Sequence, residues 1–159
     1  MTGRDVATVA VAVGSGLTAG ALFAFSSFVM PALRRVPPAE GVTVMQSINR
    51  RAVTPSFMIV LFGTAAVSIG VGAHALVHRD EPYAAWAGLG TVAYLVAIAI
   101  TAGHHVPRND RLATFDAGVP EAARYWSTYL GQWTAGNHVR TLAAAVAATA
   151  FTMAARSPR

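Results

Sequence analysis

Residues 6–33 read VATVAVAVGSGLTAGALFAFSSFVMPAL, 28 residues without a charged side chain. About 20 apolar residues carry a helix across a bilayer core, so this run is long enough to span. It also far exceeds the ~7–15 apolar residues of a signal-peptide core, which predicts a retained helix. Two further runs lack Asp, Glu, Lys and Arg: residues 52–78 and residues 82–107, 27 and 26 residues long. Glycine, alanine and β-branched residues fill all three, and proline stands only near their ends. The expected spans are 7–31, 55–77 and 84–104.

The rest of the chain agrees with a membrane protein. Of 159 residues, 54% are hydrophobic and 12% charged, and mean hydropathy is +0.47. A soluble domain is about 25% charged, and a disordered chain is polar. With no cysteine, disulfides, thiolate metal sites and cysteine nucleophiles are excluded. All twelve basic residues are arginines set between apolar runs, whereas nucleic-acid binders cluster them on a polar surface. A fourth uncharged run, 141–155, has 15 residues and reaches only about 22 Å at the α-helical rise. Extending it back to Trp133 gives a span at 133–155 that encloses Arg140. The expected fold is all-α: an integral-membrane four-helix bundle in one domain over 1–159, with a short extra helix in loop one and a helical extension before the last span.

Four spans put both termini on one side and loops one and three on the other. Those two loops carry Arg34, Arg35, Arg50, Arg51, Arg108, Arg111 and Arg124, against Arg4, Arg79, Arg156 and Arg159 opposite. This bias favours loops one and three in the cytoplasm of a plasma-membrane protein. Gly16 and Gly20, then Gly63, Gly70 and Gly72, then Gly88 and Gly90, read as packing faces between helices of one chain; a homo-oligomer contact is not indicated.

In loop one, Pro37-Pro38 followed by Glu40 suits a helix start. Val42, Gln46, Asn49 and Val53 share one face of that helix, while Glu40, Ser47 and Arg51 share another. A buried amide needs partners, so Gln46 and Asn49 either tie the helix to neighbouring backbone or line a polar pocket. In loop three, Val106-Pro107 should end the third helix, Asn109-Asp110 suits a turn or helix cap, and Pro120-Glu121 starts a helix running into the last span. Along it Trp126, Tyr129, Trp133, Asn137 and Arg140 recur at steps of three and four, and Ala144 and Ala148 continue that face. An interfacial aromatic belt accounts for the tryptophans but not for Asn137 aligned with Arg140. Arg140 either snorkels to the headgroups or, as an ionisable residue inside a membrane, marks a functional site. His138 falls on another face.

His74 and His78, four apart, read best as a polar helix terminus. A metal at His104, His105 and Asp110, with mixed nitrogen and oxygen ligands, is an alternative that matches no specific motif spacing. No Gly-rich phosphate loop or Ser-His-Asp arrangement is visible.

The order of five stretches resembles a family of small four-helix membrane proteins that includes the fungal anthrone oxygenases. They are FSSFVMPAL at 25–33, MQSINR at 45–50, Pro55 with Phe57, VPRNDRLA at 106–113, and WSTYLGQWTAGNHVRT at 126–141. His104-His105 is a departure, since the family more often resembles asparagine there. The resemblance implies oxidation of an anthrone to an anthraquinone by molecular oxygen without flavin or haem, and no organic cofactor is expected. Such a site needs a base, an oxyanion donor and a flat apolar slot. Trp126, Tyr129 and Trp133 suit the ring, with Gln46 beside them. Asn49, Asn137 and Arg140 suit the oxygen, Asn109 is expected to converge on the same catalytic pocket, and Asp110 or His104, with His138 behind them, suits the base. The expected partners are the lipid bilayer and an apolar aromatic small molecule, with no nucleic acid. The alternative is a non-catalytic binding or scaffold protein of the membrane.

Topology reporters fused after Arg79 and at the C-terminus should give the same signal. Opposite signals would leave an odd number of spans between them, which removes the fourth helix or adds one.

Overall fold

Local signals start the helices where the apolar runs begin. Thr2 caps the first: its hydroxyl accepts from the Asp5 amide at 3.3 Å, and the Asp5 carboxylate accepts from the Thr2 amide at 2.8 Å, a reciprocal capping box. Pro38, Pro55 and Pro120 stand in the first turn of three others, where a missing N–H breaks no helical bond. The computed structural model describes residues 2–158, which form five helices and no strand. They are α1 Gly3–Leu33, α2 Pro38–Ala52, α3 Pro55–Val77, α4 Tyr83–Ala113 and α5 Pro120–Arg156.

α1, α3 and α4 are each long and apolar enough to cross a membrane. In the most apolar stretch of each, about a third of the residues are buried, and the outward side is apolar too. Val6, Val9, Val13 and Leu17 run up the exposed face of α1. A bundle in water would carry charge there; an apolar exterior suits hydrocarbon. α5 is the longest helix, 37 residues or about 55 Å, but it is not among the three candidate spans. His138 and Arg140 interrupt its apolar character.

α5 packs along both α1 and α4, and α3 closes the ring against α4 and α1. The long helices alternate in direction. At one end Arg4 pairs with Glu81 and lies 4.6 Å over the Tyr83 ring. At the other, Gln46 Nε2 donates to the carbonyls of Leu112 and Phe115, both at 2.9 Å. Loops one and three therefore share an end. The interior is layered. Toward the termini it is built from alanines with Val11, Tyr83, Tyr94 and Phe151. Toward loops one and three it holds Met30, Val42, Met45, Leu112, Trp126, Tyr129 and Trp133.

Each candidate span contains one π-helical turn, at Phe25–Val29, Ile59–Gly63 and Thr101–His105. The last corrects the reading of loop three. The third helix does not end at Val106-Pro107; it continues to Ala113. The π turn has already altered the backbone ladder there, so the missing N–H of Pro107 is tolerated two residues later. Asn109 and Asp110 consequently lie on a helix, not in a turn.

The glycine faces are corrected in part: Gly72 and Gly90 do pack between helices, and the others do not. An added Cβ at Gly16, Gly20, Gly70 or Gly88 would meet nothing within 4 Å, and at Gly63 only Ile59 at 3.9 Å. The inward side of α1 is set instead by Val11, Gly14, Ser15, Thr18 and Leu22, which turns Gly16 and Gly20 outward. Close approach occurs at Gly14 on Thr64, at Gly72 on Thr91 and at Gly90 on the Phe151 ring.

Gly90→Ala would set a Cβ 2.8 Å from Phe151 ring atoms and should destabilise the α4–α5 contact by about 1–3 kcal/mol. Gly88→Ala meets open space and should be neutral or stabilising by up to about 1 kcal/mol. Thermal unfolding of both variants in one detergent checks the pair.

Candidate functional site

Between the two apolar layers lies a polar level organised by α5. Asn137 is fully buried and Arg140 is 6% exposed. Arg140 Nη2 donates to Asn137 Oδ1 at 2.7 Å, and Arg140 Nη1 donates to Thr101 Oγ1 at 3.1 Å. Asn137 Nδ2 donates across to α1, to the Leu22 carbonyl at 2.7 Å and to Ser26 Oγ at 2.8 Å. The Arg140 guanidinium also lies 5.4 Å from the Trp133 ring centroid, within cation–π range. Among the described residues Arg140 forms no ion pair. Its Nε–H is buried and has no hydrogen-bond partner.

The level continues toward the loops through aromatic rings. Trp133 Nε1 donates to Asn109 Oδ1 at 3.1 Å, and the Tyr129 hydroxyl donates to the same oxygen at 2.7 Å. Asn49 Nδ2 stands 3.5 Å from the Tyr129 hydroxyl, a long contact. Burial pushes the Tyr129 phenol up, against the lowering effect of the Asn49 amide, so it stays protonated as a donor. Trp126 stacks on Tyr129 at 5.5 Å and 17°, and Tyr129 on Trp133 at 6.5 Å and 29°. α2 covers this stack, with Gly41 against the Trp126 indole, where an added Cβ would sit 2.7 Å from ring carbon.

Asn49, Asn109, Trp126, Tyr129, Trp133, Asn137 and Arg140 thus form one connected chain of contacts. Gln46 is set apart, with its Nε2 donating to two backbone carbonyls. Asp110 is exposed. His104 turns Nε2 toward the Gln132 carbonyl at 2.9 Å, and His138 is exposed on another face. Among the described residues no three His, Asp or Glu side chains gather as a metal set.

Sequence reasoning missed Ser26, Thr101 and the role of His105. His105 is 1% exposed, with Nε2 at 3.1 Å from the Trp133 carbonyl and Nδ1 at 3.3 Å from the Ile100 carbonyl. A neutral imidazole has one N–H for these two acceptors. Gly136 makes the approach possible, since a Cβ there would lie 2.5 Å from His104 and 2.9 Å from His105. The His-His pair opposite a glycine was the available signal. Ser26 and Thr101 looked like two more hydroxyls in apolar helices.

Residues 44–150 match the model of the family described as anthrone oxygenase. The match covers about two-thirds of the chain, and the chain belongs to that family. It runs from α2 into α5 and leaves out α1, so the stretch 25–33 lies outside it. No curated protein and no solved structure matches the chain.

Asn137→Leu removes the acceptor of Arg140 Nη2 and both donations to α1. It should destabilise the protein by about 2–4 kcal/mol, whereas Ser26→Ala should cost about 1 kcal/mol. Adding Arg140→Met to Asn137→Leu should cost less than the sum of the single changes, because both residues serve one network. Unfolding of the four variants in detergent measures this coupling.

Proposed function

We propose that this member of the anthrone oxygenase family is a membrane-embedded enzyme that oxidises an anthrone-type polycyclic ring with molecular oxygen. In this reading residues 133–155 of α5 form the fourth span, and Arg140 lies within the hydrocarbon. The observation that carries the reading is the Arg140 Nε–H, buried without an acceptor on a guanidinium that has no acid partner. An unpaired buried cation is costly, and a ligand oxyanion would relieve that cost.

The chemistry balances without an added reductant. The methylene of an anthrone lies between two aryl rings and opposite a ketone, so loss of a proton gives an enolate with charge on the ketone oxygen. Arg140 Nε–H donates to that oxygen, stabilising charge as it develops. The enolate passes one electron to O2, and the radical pair closes a C–O bond to form a hydroperoxide. Removal of the remaining C–H proton with loss of water leaves the second carbonyl. Anthrone and O2 become anthraquinone and water.

Both His105 nitrogens face backbone carbonyls, Nε2 that of Trp133 and Nδ1 that of Ile100, so the methylene proton passes to a solvent base reached from the loop end. Asp110 is exposed, and His104 is directed at Gln132. The substrate ring packs against Trp133, beside the Arg140 guanidinium that lies 5.4 Å from its ring centroid. Asn109 and Asn49 hold Trp133 and Tyr129 in place from the loop side.

Oxygen uptake by detergent-purified protein with a panel of anthrones tests the reading, with quinone formed in equal amount to O2 consumed. Arg140→Lys keeps the charge but loses the planar fork; it should fold and lose at least about 90% of turnover, equivalent to ~1.4 kcal/mol or more. Arg124→Lys, exposed and paired with Glu121, should be nearly silent. Saturable binding of anthrones with no oxygen uptake would identify a binding protein instead. Full activity in Arg140→Lys would remove Arg140 from the chemistry.

A further inference from the structure

A second basic site stands outside the buried level. Between the last turns of α4 and the first turns of α5 lies an open cleft of about 670 Å³. Arg108, Arg111 and Arg124 line it with a single acid, Glu121. That acid is taken by Arg124 at 2.6 Å, which leaves two guanidinium charges in the cleft without an anion.

Both remaining arginines are held in position. Arg108 Nε donates to Gln132 Oε1 at 3.0 Å and Nη1 donates to the His104 carbonyl at 2.7 Å, so Nη2 is left over. The Arg111 guanidinium lies 4.6 Å over the Tyr125 ring and donates to no acceptor among the described residues. Tyr125 in turn stacks on Phe115 at 5.3 Å and 29°, and its hydroxyl donates to the Arg108 carbonyl at 3.3 Å. A planar cation fixed on an aromatic face keeps its N–H edge for an anion.

The position of the cleft selects the kind of anion. Arg108 and Arg111 occupy the last two turns of α4, the polar end of a candidate membrane span that reaches Ala113, so a bilayer crossed by α4 would set its headgroups beside them. Basic pockets between membrane helices at that depth hold lipid phosphates, and a phosphate accepts from guanidinium forks in pairs. We infer that this cleft binds the phosphate of an anionic phospholipid, with Arg108 and Arg111 as its donors and the Phe115–Tyr125 stack as its wall. The site is independent of the buried Arg140 level and of any turnover there.

Lipid exchange on the full chain tests this. The purified protein is placed in neutral phosphatidylcholine nanodiscs and titrated with phosphatidylglycerol, and retained lipid is read by native mass spectrometry. Inorganic phosphate and glycerol phosphate form a separate arm. The expected result is one retained phosphatidylglycerol per chain, a loss of at least tenfold in affinity for Arg108→Gln/Arg111→Gln, and no change for Arg34→Gln/Arg35→Gln, which removes equal charge from the same end. Should the double variant fail to fold, exposed Arg111→Gln alone is read and should lose at least threefold. Equal loss in both arginine pairs, or in Arg111→Gln no loss, would reduce the cleft to diffuse surface charge and overturn the inference. So would retention that does not distinguish phosphatidylglycerol from phosphatidylcholine. Displacement of the lipid by millimolar free phosphate would reassign the cleft to a soluble anion.

Discussion

One guanidinium without an acid sets the demands on the middle of this bundle. Arg140 is buried among helices whose outer faces are apolar, and a charge in that setting requires acceptors in fixed directions. Asn137 Oδ1 and Thr101 Oγ1 meet two of its donors. With its oxygen committed to Arg140, Asn137 must donate elsewhere, and the Leu22 carbonyl and Ser26 on α1 accept. A single charged residue thereby links α5 to both of its long neighbours at one level. Layers of alanine on one side and of aromatic rings on the other then pack against a cross-section already fixed in register.

The backbone adjusts around that level and at one other. The π turn at Phe25–Val29 begins just past Leu22, whose carbonyl accepts from Asn137. The turn at Thr101–His105 carries the Arg140 acceptor Thr101 and brings both nitrogens of His105 against carbonyls. The third turn, at Ile59–Gly63, contains Leu61, whose carbonyl accepts from the buried Tyr94 hydroxyl at 3.1 Å. Wide turns disturb the helical ladder and tend to occur where a helix does chemistry. Here each one stands beside a polar side chain that an unbroken apolar helix would leave short of partners.

The first three candidate spans were legible because long uncharged runs have few other uses, and the Trp133-Asn137-Arg140 face was legible because helical spacing is rigid. The end of α4 was not. A proline after valine usually closes a helix, and nothing in Thr101–His105 announces the π turn that lets the helix continue. The inward glycines were partly misread for a related reason. Gly16 and Gly20 have the spacing of a packing pair, but only the three-dimensional neighbours distinguish them from Gly14, which meets Thr64. Gln46 and Asn49 share a face on α2, yet Gln46 is taken up by the end of α4 while Asn49 reaches Tyr129. Spacing placed the two amides together and could not choose their partners.

The acceptors that α1 supplies explain how a level joining three helices is compatible with a family match that begins only at residue 44. The donors and most of their partners, Thr101, Asn109, Trp133, Asn137 and Arg140, lie within the matched region. What α1 adds is one serine hydroxyl and one main-chain carbonyl. A carbonyl is the same acceptor whatever side chain its residue carries, so α1 can meet the Asn137 amide through its register and its wide turn. That register is held by packing instead, through Gly14 against Thr64 and Thr18 against the Tyr94 hydroxyl at 3.0 Å. The chemistry-bearing side chains are thus concentrated in α4 and α5, while α1 serves as a wall whose height along α5 decides whether Asn137, and through it Arg140, is satisfied.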